Sequence, residues 1–225
     1  IVSYGFSEEA DYRAENVQPE GGQTRFSVVV RGKAKGDILI KVPGRHNILN
    51  ALAAIAVSLE EGVEFPLISE GLAKFEGVRR RFEYKGSVRE REIYEDYAHH
   101  PTEVSATLRA ARENWPGRRV VVLFQPHLYT RTRDQAEAFG LAFLESDLLL
   151  LAPIYGAREK PIEGVSSSMI GEAAQRRGHQ AVHLLGVKED SVDLLRELSQ
   201  PGDLIIVMGA GNIGRMSDEL LEQLR

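Results

Sequence analysis

The sequence predicts an α/β protein: a C-terminal, doubly wound, mainly parallel sheet preceded by a smaller unit of strands and helices. Three observations carry this reading. From about Arg91 onward, strand-like and helix-like segments alternate at regular spacing. Two of the strands, Val120-Val121-Val122-Leu123-Phe124 and Leu204-Ile205-Ile206-Val207-Met208, are continuously apolar, as strands covered on both faces are. Residues 1–42 instead read as β alone.

Taken in order, Thr24–Val30 puts Phe26, Val28 and Val30 on one face of a strand. Gly32-Lys33-Ala34-Lys35-Gly36 reads as a turn, and Asp37–Val42 as the returning strand. Two strands alone are marginal in water, so further partners are expected. Pro43-Gly44 breaks the strand, and a helix runs from Arg45-His46-Asn47 to about Glu61. Ile48, Leu49, Leu52, Ala53, Ile55, Ala56 and Leu59 make it apolar nearly all round, which predicts a buried helix. Its polar residues gather at its start, where His46 and Asn50 are four apart and share a face. An Asn amide offers a donor and an acceptor to the edge of adenine. The plainer reading is that one Asn caps the helix while His46 packs nearby. A short helix follows from about Pro66 to Phe75, and the domain boundary falls after Gly77, giving domains of 1–77 and 78–225. Next come Arg79-Arg80-Arg81, of which one or two can face a phosphate while the others are solvated.

The second domain opens on Tyr94-Glu95-Asp96-Tyr97-Ala98-His99-His100-Pro101-Thr102-Glu103. Pro101 suits the first helical position, and Val104, Leu108 and Ala111 form one stripe running to Trp115. Acids and imidazoles therefore sit in a strand-to-helix turn, where free N–H groups suit an anion. The plainer alternative is a polar loop in which Glu103 reaches back to cap its own helix. The remaining elements are Arg119–Phe124, Thr132–Glu145, Asp147–Ala152, Ser167–Arg177, Ala181–Leu185, Lys188–Ser199, Asp203–Met208 and Arg215–Leu224, alternately strand and helix. Thr132 with Gln135 three residues on reads as a capping box.

In such sheets ligands bind beyond the carboxyl ends of the strands. The unusual residues lie there: Asp96–His100, then Gln125-Pro126-His127-Leu128-Tyr129-Thr130-Arg131, then Ile154–Glu159. Two motifs carry less. Gly209-Ala210-Gly211-Asn212-Ile213-Gly214 has the dinucleotide spacing but no acidic residue about 20 positions on, and reads as a tight turn near the sheet edge. Adjacent His99 and His100 lack the i, i+4 spacing of a helical metal pair, so no metal site is predicted.

Composition sets outer bounds. The chain has 225 residues, 43% apolar and 27% charged, enough for a real core. No run approaches the roughly 20 apolar residues of a membrane span. A net charge of −5 argues against a dedicated nucleic-acid or membrane-surface binder. The absence of Cys excludes thiol chemistry and is compatible with a reducing cytoplasm, the expected location. Ile1 in place of Met suggests a piece of a longer protein.

Five stretches together resemble a family, the Mur ligases of peptidoglycan synthesis. They are Pro43–Ala54, Gly77–Glu83, Glu95–Glu103, Phe124–Arg133 and Met208–Gly211, in family order across almost the whole chain. The resemblance implies that residues 1–77 are the end of an α/β ATP-binding domain, and that 78–225 are the dinucleotide-fold-like C-terminal domain. It implies an ATP-dependent carboxylate–amine ligase using Mg²⁺. ATP activates the muramyl carboxylate of UDP-N-acetylmuramate as an acyl phosphate, and the amine of L-alanine attacks it. Under the same resemblance His46 and Asn50 hold adenine, and Arg81 reaches the phosphates on domain closure. Asp96 joins nucleotide and hinge, while His99, His127 and Arg131 line the amino-acid site. Arg81, Asp96 and His99 are the catalytic candidates. Alternatives are a recycling ligase that adds a preformed peptide to the same sugar nucleotide, or a non-catalytic nucleotide- or partner-binding module.

Two departures stand out. No Gly-Lys-Ser/Thr phosphate loop occurs in the 225 residues, so the chain alone is expected to be inactive, with the Mg²⁺ ligands elsewhere. Leu128 stands where many relatives carry Arg, and leucine supplies no charge-assisted bond.

Overall fold

The computed structural model describes residues 1–186 and 191–224. By internal contacts the chain divides into two units: Ile1–Gly77 with Glu113–Pro116, and the rest of the chain from Val78 onward.

The first unit is a four-stranded sheet with two helices. Strands β1 (Tyr4–Gly5), β2 (Tyr12–Glu20), β3 (Gln23–Val30) and β4 (Lys33–Ile40) lie in sequence order. The first pair is parallel and the other two antiparallel. The hairpin turn is tighter than the sequence suggests. Arg31 and Gly32, at φ 47° and 75°, form it alone, and Val30 pairs with Lys33. Two left-handed residues match the twist of the flanking strands. The second glycine of the expected turn, Gly36, instead marks a bulge, because Val28 pairs with Gly36 and Val29 with Ala34.

Helix α1 (Arg45–Glu60) and helix α2 (Phe65–Lys74) complete this unit. Phe26, Val28, Ile38 and Ile40 pack with Ile48, Leu52 and Ile55 of α1 in one core. The helix is not buried all round, as its composition suggests, but on one face. Ala54 is exposed and Val57 is 65% exposed, because the sheet covers a single side. Neither Asn caps α1. Gly44, at φ 99°, occupies the cap position, and the Asn47 amide donates to the Pro43 carbonyl at 2.7 Å.

The second unit begins with a strand pair that the alternating pattern does not reveal. Strand β5 (Glu83–Val88) pairs antiparallel with β6 (Arg91–Asp96). Then follow α3 (Pro101–Asn114), β7 (Val120–Phe124), α4 (Tyr129–Ala142) and β8 (Leu148–Leu151). The chain continues through α5 (Ser168–Arg176), β9 (Val182–Leu184), α6 (Ser191–Leu198), β10 (Leu204–Met208) and α7 (Arg215–Gln223). Lys188, the expected start of α6, lies outside the described residues.

The sheet order is β5-β6-β10-β7-β8-β9, parallel throughout except for the β5 edge. It is the mixed α/β, doubly wound sheet that the alternation predicts. The last strand inserts between β6 and β7, so the glycine turn after it is central rather than at the edge. Chain order does not dictate spatial order, and only the long return through α6 places β10 there. Val121, Leu123, Ile205 and Val207 pack with Val192, Leu195 and Leu220 of α6 and α7. On the opposite face Phe124 meets Phe139 and Phe143 at centroid distances of 5.3 and 5.0 Å. Burying both faces in this way contributes on the order of 2 kcal/mol per large apolar side chain.

Candidate functional site

The carboxyl ends of β6, β10, β7 and β8 open on one edge of the second unit, and four loops meet there. Asp96, the last residue of β6, is 5% exposed. Its Oδ1 accepts the Ala98 N–H at 2.7 Å, and its Oδ2 accepts the Phe82 N–H at 2.9 Å and the Thr107 hydroxyl at 3.3 Å. Burial raises the Asp96 pKa above the ordinary carboxylate value, while these bonds and Arg81 oppose the shift. Both oxygens are thus committed, and Asp96 is a clasp between β6 and the arginine segment.

The helix start that follows is not an open anion site. Glu103 Oε2 accepts the N–H groups of His99 and His100 at 3.0 and 3.1 Å, as the plainer alternative has it. The imidazole of His99 lies against the same cap: its Nδ1 is 2.9 Å from the Tyr97 carbonyl and 3.3 Å from Glu103 Oε2. In the neutral ring this makes Nδ1 the donor and Nε2 the basic nitrogen.

The three arginines differ sharply. Arg79 is exposed. Arg80, half-buried, is engaged by the fold: it donates to Glu95 Oε1 at 2.7 Å and to the Gly209 and Gly211 carbonyls at 2.7 and 3.2 Å. Its guanidinium also lies over the Tyr97 ring, 4.7 Å from the centroid. Arg81 is the available one. Its side chain is 54% exposed, with a 3.8 Å approach to Glu103 and its guanidinium over the Tyr97 ring, 5.6 Å from the centroid. Arg80 and Phe82, on either side, have left-handed backbones at φ 60° and 50°. Such residues cost on the order of 1 kcal/mol each and persist only where the surroundings hold them. Here the Arg80 N–H donates to Glu83 Oε2 at 2.7 Å, its carbonyl accepts from Tyr97 N–H at 2.7 Å, and Asp96 holds Phe82.

The β7 loop brings His127 and Arg131 to His99. The His99 and His127 rings meet edge to face, with centroids 5.8 Å apart. Arg131 Nη1 lies 3.4 Å from His127 Nδ1 and 3.5 Å from the His99 carbonyl. Among the described residues its Nε and Nη2 donate to nothing, so two guanidinium nitrogens, with three N–H bonds between them, remain for a carboxylate. Burial, then the charge of Arg131 and His99, lowers the His127 pKa below the ordinary imidazole value. At neutral pH the ring is therefore uncharged.

Helix α4 starts three residues earlier than expected, and the Thr132–Gln135 capping box does not form. Thr132 lies inside the helix, its hydroxyl donating to the Leu128 carbonyl at 2.9 Å. The helix start is capped instead from the loop after β8, by Glu159. From the same loop Tyr155 stacks on His127, with centroids 5.8 Å apart and planes at 24°. Sequence reasoning placed this loop at the edge but gave Tyr155, Glu159, Tyr97 and Arg80 no role. Only long-range contacts reveal them. Beside the cluster, Arg80, Glu95, Tyr155, Gly211, Asn212 and Arg215 line an open cleft of about 440 Å³.

The structure thus brings His99, His127 and Arg131 together, with Arg81 and Asp96 in the same unit. His46 and Asn50 belong to the other unit, where both are exposed at the start of α1. Among the described residues no three His, Asp or Glu side chains are grouped as a metal site. No described helix is long and apolar enough to cross a membrane.

Two family descriptions match the chain. The Mur ligase middle domain matches residues 1–58, and the Mur ligase glutamate ligase domain matches residues 80–211. The chain belongs to the Mur ligase family. The UDP-N-acetylmuramate–L-alanine ligase of Salinibacter ruber is 49% identical over 224 residues, covering 100% of this chain and 47% of that protein. The ligase of the same name from Geobacter sulfurreducens is 44% identical, with 100% and 48% covered. The crystal structure of the Thermotoga maritima UDP-N-acetylmuramate–alanine ligase superposes with a TM-score of 0.81 at 26% identity, over 99% of this chain and 47% of that one. A murein peptide ligase from Psychrobacter arcticus shares the fold, with a TM-score of 0.63 at 24% identity over 99% and 46%. The chain spans about half the length of the curated relatives it matches.

Proposed function

We propose that this chain is the C-terminal part of an ATP-dependent ligase that joins L-alanine to UDP-N-acetylmuramate, and that its second unit carries the acceptor amino-acid pocket. The observation that supports this best is the His99–His127–Arg131 cluster, in which Nε and Nη2 of Arg131 stay unengaged beside partly buried rings. That arrangement fits a small α-amino carboxylate. The names and identities of the relatives supply the reaction.

On this reading residues 1–77 end the central ATP-binding domain and 78–225 form the C-terminal domain. ATP phosphorylates the muramyl carboxylate. The alanine carboxylate pairs with Arg131, and its amine attacks the acyl phosphate carbonyl. A new C–N bond forms, the bond to phosphate breaks, and His99 Nε2 takes the proton the amine loses. His127, held neutral, orients the amine. Arg81 is free to reach the phosphoryl oxygens, and Asp96 acts through it by fixing the Arg81 segment. Asn50 suits adenine as an acceptor: its Nδ2 donates to Asn47 Oδ1 at 3.3 Å, which leaves its carbonyl to accept from the exocyclic amine, with His46 four residues before it. No residue here is assigned to Mg²⁺. The substrates are those of the cytoplasm, with no nucleic acid or membrane among them.

The test is product analysis with the full-length protein, ATP, Mg²⁺ and UDP-N-acetylmuramate. L-alanine should give stoichiometric phosphate and the alanyl sugar nucleotide. Turnover with a preformed peptide and none with alanine would favour a recycling ligase, and none with either would leave a binding module.

A further inference from the structure

Helix α4 starts in an unusual way. Its cap residue, Leu128, has no polar side chain and sits at φ 74°, a region that costs a leucine on the order of 1–2 kcal/mol. The conformation is held from both sides. The Leu128 N–H donates to the Tyr155 carbonyl at 3.0 Å, and the Leu128 carbonyl accepts the Thr132 N–H and hydroxyl at 3.1 and 2.9 Å. Tyr155 N–H donates in turn to Pro126 at 2.8 Å, a single parallel bridge between the loops after β7 and β8.

The first N–H groups of α4 would then lack partners. Glu159 meets them: its Oε2 accepts the Thr130 N–H at 3.0 Å, and its Oε1 accepts the Thr130 hydroxyl. These two bonds hold its pKa below the ordinary range. Gly156 makes room for the arrangement, since a Cβ there would lie 2.8 Å from the Tyr129 ring. His127 and Arg131 flank the capped turn, one on each side.

We infer that Glu159 is a positioning residue for the acceptor amino acid: by capping α4 from the neighbouring loop it fixes the directions in which His127 and Arg131 point. A filled helix start also leaves the acceptor carboxylate to the Arg131 guanidinium rather than to backbone N–H groups. This rests on the acceptor-pocket reading above.

The experiment is a double-mutant cycle in the full-length ligase, with KM for L-alanine and for ATP as readouts. Glu159→Ala should raise the alanine KM about tenfold and leave the ATP KM unchanged. Glu159→Gln, which keeps one acceptor, should give the same split in smaller measure, and it serves if the alanine variant folds poorly. In an Arg131→Ala background Glu159→Ala should add less than about twofold, because its effect passes through Arg131 and its neighbours. Glu137→Ala, which removes an exposed carboxylate further along α4, should change neither KM. Independent, multiplicative effects of Glu159 and Arg131 would overturn the inference, as would a fall in kcat with both KM values unchanged. An alanine KM that ignores Arg131→Ala would remove the pocket reading itself, and this inference with it. A response to Arg131 without one to Glu159 would remove this inference alone.

Discussion

Asp96 Oδ2 accepts the Phe82 backbone N–H at 2.9 Å, so the end of strand β6 holds the residue that follows Arg81. The bond ties a solvent-facing arginine to one of the most buried carboxylates of the second unit. Removing the carboxylate strands two backbone donors, Phe82 and Ala98, and the Thr107 hydroxyl. Asp96→Ala should therefore destabilise the protein by about 2–4 kcal/mol, as loss of a buried, charge-assisted network does. Urea unfolding measures it. A change under about 0.5 kcal/mol would show that the clasp does not hold the segment.

Arg80 and Arg81 are adjacent and should behave oppositely. Arg80→Ala leaves Glu95, 7% exposed, without its closest cation and frees the Gly209 and Gly211 carbonyls. It should cost about 2–3 kcal/mol in stability. Arg81→Ala removes an exposed, long ion pair, worth about 0–1 kcal/mol, and an exposed contact over the Tyr97 ring, and should lower turnover heavily with little change in melting temperature. The reverse pattern, with Arg81 structural and Arg80 silent in unfolding, would exchange their roles.

How much of this was legible in the sequence follows from range. Apolar runs and 3.6-residue stripes are local signals, so the β7 and β10 strands and the Val104–Leu108–Ala111 face read correctly. Strand β5 did not, because Glu83–Val88 is an edge strand whose half-exposed residues break the apolar pattern. The place of β10 in the sheet and the capping of α4 by Glu159 are long-range facts with no local signature. The Thr132–Gln135 spacing was a local signal that the left-handed Leu128 overrode. The candidate cluster itself was visible because unusual residues gathered at strand ends. Which of them carry fold rather than chemistry, as Arg80 and Asp96 do, appeared only in their hydrogen bonds.

The lowered pKa of His127 makes a pH prediction. Because the folded value lies below the unfolded one of about 6.5, the folded state binds fewer protons there. Its contribution to stability is present above that unfolded value and is lost as pH falls through the folded one. Arg131→Ala removes a neighbouring positive charge and should raise the His127 pKa, with burial still keeping it below normal. Titration of the histidine Cε1–H resonances of labelled protein follows this directly. A pKa unchanged or lowered by the substitution would mean that Arg131 does not face the ring.

The acceptor pocket is tested most directly by the alanine KM of Arg131→Ala in the full-length ligase. Loss of a charged hydrogen bond to the acceptor carboxylate, about 1.5–3 kcal/mol, corresponds to a rise of roughly tenfold to a few hundredfold. The KM values for ATP and UDP-N-acetylmuramate should barely move. A rise confined to ATP or to the sugar nucleotide, with the alanine KM unchanged, would contradict the assignment of this cluster to the acceptor amino acid.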